Sequence, residues 1–184
     1  TEPRSITPKG TFMSLAVNDP LKNNLEETVT REFLLATGSP YRILRAGIPP
    51  EPDQLYECPK TGRQVGIEVV SVYYDQNHAK SVWMQARTGK SYSYEISRKD
   101  SVENVRLLAE TLRRIRAKSR KRYTPNGRLI LVVFTYPQRL YLCDIEERLT
   151  SLHIPSNHPF DEISIMSQHG EVYRLFPDNS WLLR

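Results

Sequence analysis

Hydrophobic positions along this chain follow two different periods, which predicts an α/β protein. Over residues 21–37, Leu25, Val29, Phe33 and Ala36 recur every three or four positions, as on one face of a helix. Gly38 and Pro40 follow at the end of this pattern, where a helix would stop. Short segments of strand character come next: residues 41–46, 53–58 and 64–74.

The second half of the chain continues this α/β order. A short helix is predicted over residues 77–87 and a long one over 100–122. The apolar face of the long helix would contain Val102, Val105, Leu108, Ala109, Leu112 and Ile115. The apolar run 128–136 is typical of a central strand that is buried on both faces. The remaining predicted elements are a strand at 140–144, a short helix at 145–152 and a C-terminal β-hairpin within 160–176.

The composition of the chain fits a single globular domain. With 184 residues, 39% of them hydrophobic and 26% charged, it can bury a core without disulfides or metals. Residues 21–184 are predicted to form this domain, after a flexible arm at 1–20. No apolar run reaches the ~20 residues of a membrane span, so no membrane partner is expected. Cys58 and Cys143 are far apart and are expected to be reduced thiols in a cytoplasmic protein.

Positive charge is concentrated in the long predicted helix. Residues 98–122 carry ten Lys or Arg against three acidic residues, a net charge of +7 in a chain of +5 overall. Five of these residues fall opposite the apolar face: Arg106, Arg113, Arg114, Arg120 and Lys121. Such a stripe is typical of a surface that binds a polyanion, above all nucleic acid. The alternative interpretation is a solvated helix face.

Two acidic residues lie where strands are expected. Asp53 opens the second predicted strand, and Glu68 lies within the apolar run of the third. A carboxylate among β-branched residues is costly to bury unless a cation or hydrogen-bond donors meet it. Two such carboxylates on neighbouring strands could share a hard metal ion, which suits phosphodiester hydrolysis. In simpler interpretations, Asp53 is a surface turn residue, and Glu68 forms a structural ion pair with Arg63 or Arg45.

The element order and these acidic residues resemble the PD-(D/E)XK nuclease-like superfamily. The resemblance covers residues 25–136 and is carried by Glu32 on the first helix, Pro52-Asp53, and Ile67-Glu68-Val69-Val70. It implies a restriction-endonuclease-like core of order α-β-β-β-α-β, in which a four-stranded mixed sheet lies between helices. It also implies metal-dependent cleavage of nucleic acid.

The resemblance implies a role for each matching residue. Asp53 and Glu68 would hold Mg²⁺ (or Mn²⁺), together with the backbone carbonyl of Val69. Glu32 would orient the attacking water or a ligand, and we expect it on the apolar face of the first helix. The family places a Lys two residues after the Glu, but Val70 occupies that position here. The cation is therefore expected from another element, with Lys80 preferred to Lys90 and Lys99.

Two functions are compatible with these features. The first is a metal-dependent nuclease that hydrolyses phosphodiester bonds of nucleic acid, with DNA expected before RNA. The second, favoured by Val70, is a catalytically inactive module of the same fold that binds nucleic acid or a protein partner. A homodimer is compatible with the sequence, which leaves the oligomeric state open. Without metal, repulsion between Asp53 and Glu68 is expected to raise the proton affinity of at least one of them.

Overall fold

A computed structural model describes residues 20–74, 76–89, 100–124, 127–136 and 141–183, with the side chains of 100–103 left out. Its centre is one mixed β-sheet of seven strands that lie side by side in chain order. The strands are β1 (Arg42–Ala46), β2 (Gln54–Glu57), β3 (Gln64–Val72), β4 (Arg128–Thr135), β5 (Glu162–Ser167), β6 (Val172–Phe176) and β7 (Ser180–Leu183).

Helices lie against both faces of the sheet. They are α1 (Pro20–Ala36), α2 (Gln76–Thr88), α3 (Asp100–Ser119) and α4 (Glu146–Thr150), and a 3₁₀ turn (Leu142–Ile145) precedes α4. The predicted α/β class with a mixed sheet flanked by helices is confirmed. The sheet has more strands than the four that the resemblance implies.

The type of strand pairing changes twice across the sheet. Strands β1, β2 and β3 form an antiparallel meander, β3, β4 and β5 are parallel, and β5, β6 and β7 are antiparallel again. The parallel β3–β4 pair requires a long crossover connection, and α2 and α3 lie within it. The antiparallel β5–β6 pair confirms the predicted C-terminal hairpin.

The side chains of β3 alternate between two apolar layers. Val65, Ile67 and Val69 belong to the layer that includes the buried face of α1. Val70 and Val72 belong to the layer that includes α3. Because successive side chains on a strand point to opposite faces, Glu68 lies on the α3 side of the sheet.

The predicted orientation of α3 is wrong by a fraction of a turn. Val105, expected in the core, is 55% exposed, whereas Leu107, Thr111 and Ile115 are fully buried. These three positions are four residues apart, so they form one stripe along the helix. Continuing the stripe by three residues reaches Lys118, which is partly buried.

The predicted strand at 140–144 is also wrong, because residues 142–145 form the 3₁₀ turn. The buried carboxylate of Glu171 accepts hydrogen bonds from the N–H groups of Leu142, at 2.7 Å, and Cys143, at 3.3 Å. These contacts satisfy amides that a strand would use in sheet pairing. Strand β7 was not predicted.

Two further expectations concerned a flexible N-terminal arm and the absence of a membrane span. The predicted arm at residues 1–20 lies outside the described residues, except for Pro20, which begins α1. In the part of the chain that the structure describes, no helix is both long and apolar enough to cross a membrane.

The orientation of α3 can be tested by paired alanine substitutions. Leu107→Ala is expected to lower the free energy of unfolding by about 3 kcal/mol, because it leaves a cavity in the core. Val105→Ala removes an exposed side chain and should change it by less than about 0.5 kcal/mol. Urea unfolding followed by circular dichroism gives both values, and equal losses at the two positions would contradict this orientation.

Candidate functional site

Asp53 and Glu68 are brought together where β2 begins. The pairing of β2 with β3 ends at Gln54 and Ile67, so the next residue on each strand is Asp53 or Glu68. The N–H of Asp53 donates to Glu68 Oε2 at 3.1 Å, and the N–H of Val69 donates to Asp53 Oδ2 at 2.9 Å. Each carboxylate therefore accepts a backbone hydrogen bond from the other strand.

Glycine residues allow the chain before Asp53 to approach β3 closely. A Cβ atom at Gly66 would lie 2.4 Å from Cγ of Pro52, and one at Gly47 would lie 1.7 Å from the carbonyl oxygen of Pro52. The N–H of Gly47 also donates to the carbonyl oxygen of Asp53 at 2.9 Å. Only glycine fits at these contacts, which hold Asp53 against β3.

The cation next to this pair comes from the last turn of α3. The Nζ atom of Lys118 contacts Oε1 of Glu68, and the Nζ atom of Lys121 lies 3.7 Å from the same oxygen. The side chain of Glu68 is only 3% exposed and that of Lys118 only 17% exposed. A nearly buried carboxylate is thus paired with a mostly buried ammonium group.

Lys118 was not among the cations expected at this site. Lys80, the preferred candidate, is exposed on α2, and Lys90 and Lys99 lie outside the described residues. The alternative ion pair between Glu68 and Arg45 is also wrong, because Arg45 binds Glu51 at 2.6 Å. The spacing of Lys118 from Leu107, eleven residues or three helical turns, could have revealed it.

On α1, the buried acidic residue is Glu26 and not Glu32. Glu32 is exposed, so its predicted position on the apolar face is wrong. Glu26 is 7% exposed and lies seven residues before the buried Phe33, on the same side of the helix. Its carboxylate pairs with Lys22, at 3.0 Å.

Burial and like charge raise the pKa values of two carboxyl groups in this region. The pKa of Asp53 is raised first by burial and then by the charge of Glu68, while Lys118 and the Val69 N–H act in the opposite direction. The pKa of Glu26 is raised by burial and then by Asp53. These shifts agree with the expectation that one member of the Asp53–Glu68 pair gains proton affinity.

Tyr123, which follows α3, lies at the same site. Burial and then the charge of Glu68 raise the pKa of its phenol. The hydroxyl is buried and makes no hydrogen bond of normal geometry within the described residues. The phenol of Tyr123 therefore lies close to the Glu68 carboxylate.

The site contains equal numbers of acidic and basic side chains. Three carboxylates, Glu26, Asp53 and Glu68, are within electrostatic reach of three ammonium groups, Lys22, Lys118 and Lys121. The carboxylates are hard oxygen ligands of the kind that Mg²⁺ and Mn²⁺ prefer. A cation would also relieve the repulsion between Asp53 and Glu68, so these residues fit a divalent metal.

Two observations define how a metal would have to bind. Among the described residues, no group of three or more His, Cys, Asp and Glu side chains is already arranged around one ion position. Lys118 and Lys121 pair with Oε1 of Glu68, and the N–H of Asp53 donates to Oε2. A metal ion would therefore compete with the lysines for Glu68.

The predicted basic stripe on α3 is only partly available to a ligand. Arg106, Arg113, Arg120 and Lys121 are exposed, and Arg114 is half-buried. Arg113 and Arg114 both bind the carboxylate of Glu110, at 2.5 and 2.7 Å. The middle of the stripe is therefore partly neutralised by Glu110.

Comparison of the chain with models of protein families, with curated proteins and with solved structures found no match. The function is therefore inferred from the geometry and charge of this site.

The two central carboxylates are expected to affect stability in opposite directions. The folded-state pKa of Asp53 lies above its ordinary value of 3.8, so the folded protein loses stability as pH rises from that value through the folded pKa. Asp53→Asn removes this effect and should raise the melting temperature at pH 7 in EDTA. Glu68→Gln leaves Lys118 without its charged partner and should lower stability by about 3 kcal/mol.

Thermal unfolding of both variants between pH 4 and pH 8 measures these effects. The advantage of Asp53→Asn over the parent should shrink as pH falls toward 4, since the parent carboxyl group then takes up its proton. A lower melting temperature for Asp53→Asn than for the parent at pH 7 would contradict the conclusion that the ionised Asp53 carboxylate destabilises the folded protein.

Proposed function

We propose that this protein is a metal-dependent nuclease of the PD-(D/E)XK type that hydrolyses phosphodiester bonds in DNA or RNA. The observation that carries this proposal is the contact between Lys118 and Glu68, beside Asp53. Val70 cannot act as the cation that the motif requires, and Lys118 brings an ammonium group to the same carboxylate from α3.

The order of the elements also supports the proposal. Helix α1, strands β1, β2 and β3, helix α3 and strand β4 follow the α-β-β-β-α-β order of a restriction-endonuclease-like core. Helix α2 and strands β5 to β7 would then be additions to this core. Glu68 lies on β3, and Asp53 lies immediately before β2, the strand that pairs with β3, as the motif requires.

The metal site would consist of Asp53, Glu68 and the carbonyl of Val69. The N–H of Val69 points toward Asp53, and the carbonyl of the same strand residue points to the same side. When bound, Mg²⁺ would activate water and stabilise negative charge on the phosphate. The carboxylates of Asp53 and Glu68 would be metal ligands, and the backbone hydrogen bonds that they accept hold them in place.

Hydrolysis forms a bond between a water oxygen and phosphorus and breaks the bond from phosphorus to one ester oxygen. The water gives up one proton, and the departing oxygen takes up one. We assign to Glu26, whose pKa is raised by burial and by the charge of Asp53, the role of accepting the proton of the water. The ammonium group of Lys118 would stabilise the negative charge that grows on the phosphate oxygens.

Cleavage of plasmid DNA and of a labelled RNA in Mg²⁺, Mn²⁺ or EDTA tests this function. The parent should cut at least one of these substrates with a divalent metal and neither in EDTA. Asp53→Asn and Lys118→Met should each lower the cleavage rate by about 100-fold or more, because each removes an interaction with the metal or the phosphate. Lys80→Met is the matched control, since this lysine is exposed on α2.

Folding of the variants is checked by circular dichroism, because Lys118→Met leaves the buried Glu68 carboxylate with a weaker partner. The double variant Lys118→Met, Glu68→Gln removes both charges, and it should fold yet remain inactive. If the protein binds nucleic acid but does not cleave it under any metal condition, the proposed nuclease activity is wrong and the inactive binding module is favoured.

A further inference from the structure

Exposed positive charge is concentrated at the end of α3 and in the three residues that follow it. Four basic residues within seven positions are all exposed, and we call them the α3 end patch: Arg116, Arg120, Lys121 and Arg122. Within the described residues, Arg116, Arg120 and Arg122 form no ion pair. This distinguishes them from Arg113 and Arg114, which share Glu110.

The α3 end patch adjoins the carboxylate site. The N–H of Lys121 donates to the carbonyl of Lys118 at 3.0 Å, so a helical turn continues past the last residue of α3. This turn places both ammonium groups near the same oxygen of Glu68. The positive surface therefore begins at the proposed site of cleavage and extends outward from it.

The dimensions of the patch suit a short stretch of nucleic-acid backbone. Residues 116–119 lie in the last turn of α3, and residues 120–122 follow it. One strand of a duplex advances about 3.4 Å per nucleotide, so basic side chains spread over this turn and the residues after it can contact a few successive phosphates. Lys and Arg side chains without acidic partners make the phosphate contacts that position a protein on nucleic acid without reading its sequence.

We infer that the α3 end patch binds the phosphates next to the bond that is cleaved, and that the middle of α3 does not bind nucleic acid. This inference rests on the proposed function, because it assigns the patch to the substrate of that same site. It moves the expected binding surface away from Arg106, Arg113 and Arg114 and keeps Arg120 and Lys121.

Fluorescence anisotropy with a labelled DNA duplex and a labelled single strand tests the inference. The full chain is used in EDTA, so that cleavage does not interfere, over a series of KCl concentrations. Arg120→Glu, Arg122→Glu should weaken binding by about tenfold or more and reduce the slope of log K against log salt by about 1.8, for two lost phosphate contacts. Arg106→Glu, Arg113→Glu is the matched control, with the same number of reversed charges placed on α3 itself.

The control pair should weaken binding by less than about threefold, through long-range charge alone. Equal losses in the two double variants, or no loss at Arg120 and Arg122, would overturn the inference. So would binding of polyglutamate but not of nucleic acid, which would indicate an acidic protein partner. If the parent binds as expected in EDTA but does not cleave nucleic acid in Mg²⁺, the result supports binding by the α3 end patch and overturns only the proposed nuclease activity.

Discussion

The buried charge of Glu68 constrains the structure around it. A carboxylate that is almost fully removed from water costs several kcal/mol unless its partners are close and well placed. Here the partners come from separate elements, with Lys118 and Lys121 from the end of α3 and the N–H of Asp53 from the start of β2. The orientation of α3 and the entry into β2 are therefore tied to one side chain on β3.

The sequence alone predicted most of the strands and the two acidic residues on them. Strand side chains alternate with a period of two, so the apolar run around Glu68 defined both faces of β3. Asp53 could be paired with Glu68 because a short turn joins β2 and β3, which makes them neighbours in the sheet. The missing cation was evident as well, since Val70 follows Glu68 at the motif position.

The helices were harder to predict, because a helical pattern tolerates small rotations about its axis. On α1, Val29 and Phe33 fit a stripe that includes Glu32 as well as one that includes Glu26. Only packing against the sheet selects the second. The 3₁₀ turn at Leu142–Ile145 depends on Glu171, which is almost thirty residues away along the chain. An interaction of this kind leaves no local pattern in the sequence.

In the proposed nuclease, metal and substrate would favour each other's binding. A cation held by Asp53 and Glu68 would compete with Lys118 for Glu68, and a phosphate that binds Lys118 would leave Glu68 available to the cation. The most direct measurement is a crystal structure of the protein grown with Mn²⁺, with anomalous scattering used to locate the ion. We expect Mn²⁺ bound to Asp53 and Glu68, with Lys118 moved away from Glu68. Mn²⁺ bound elsewhere, with the contact between Lys118 and Glu68 intact, would contradict it.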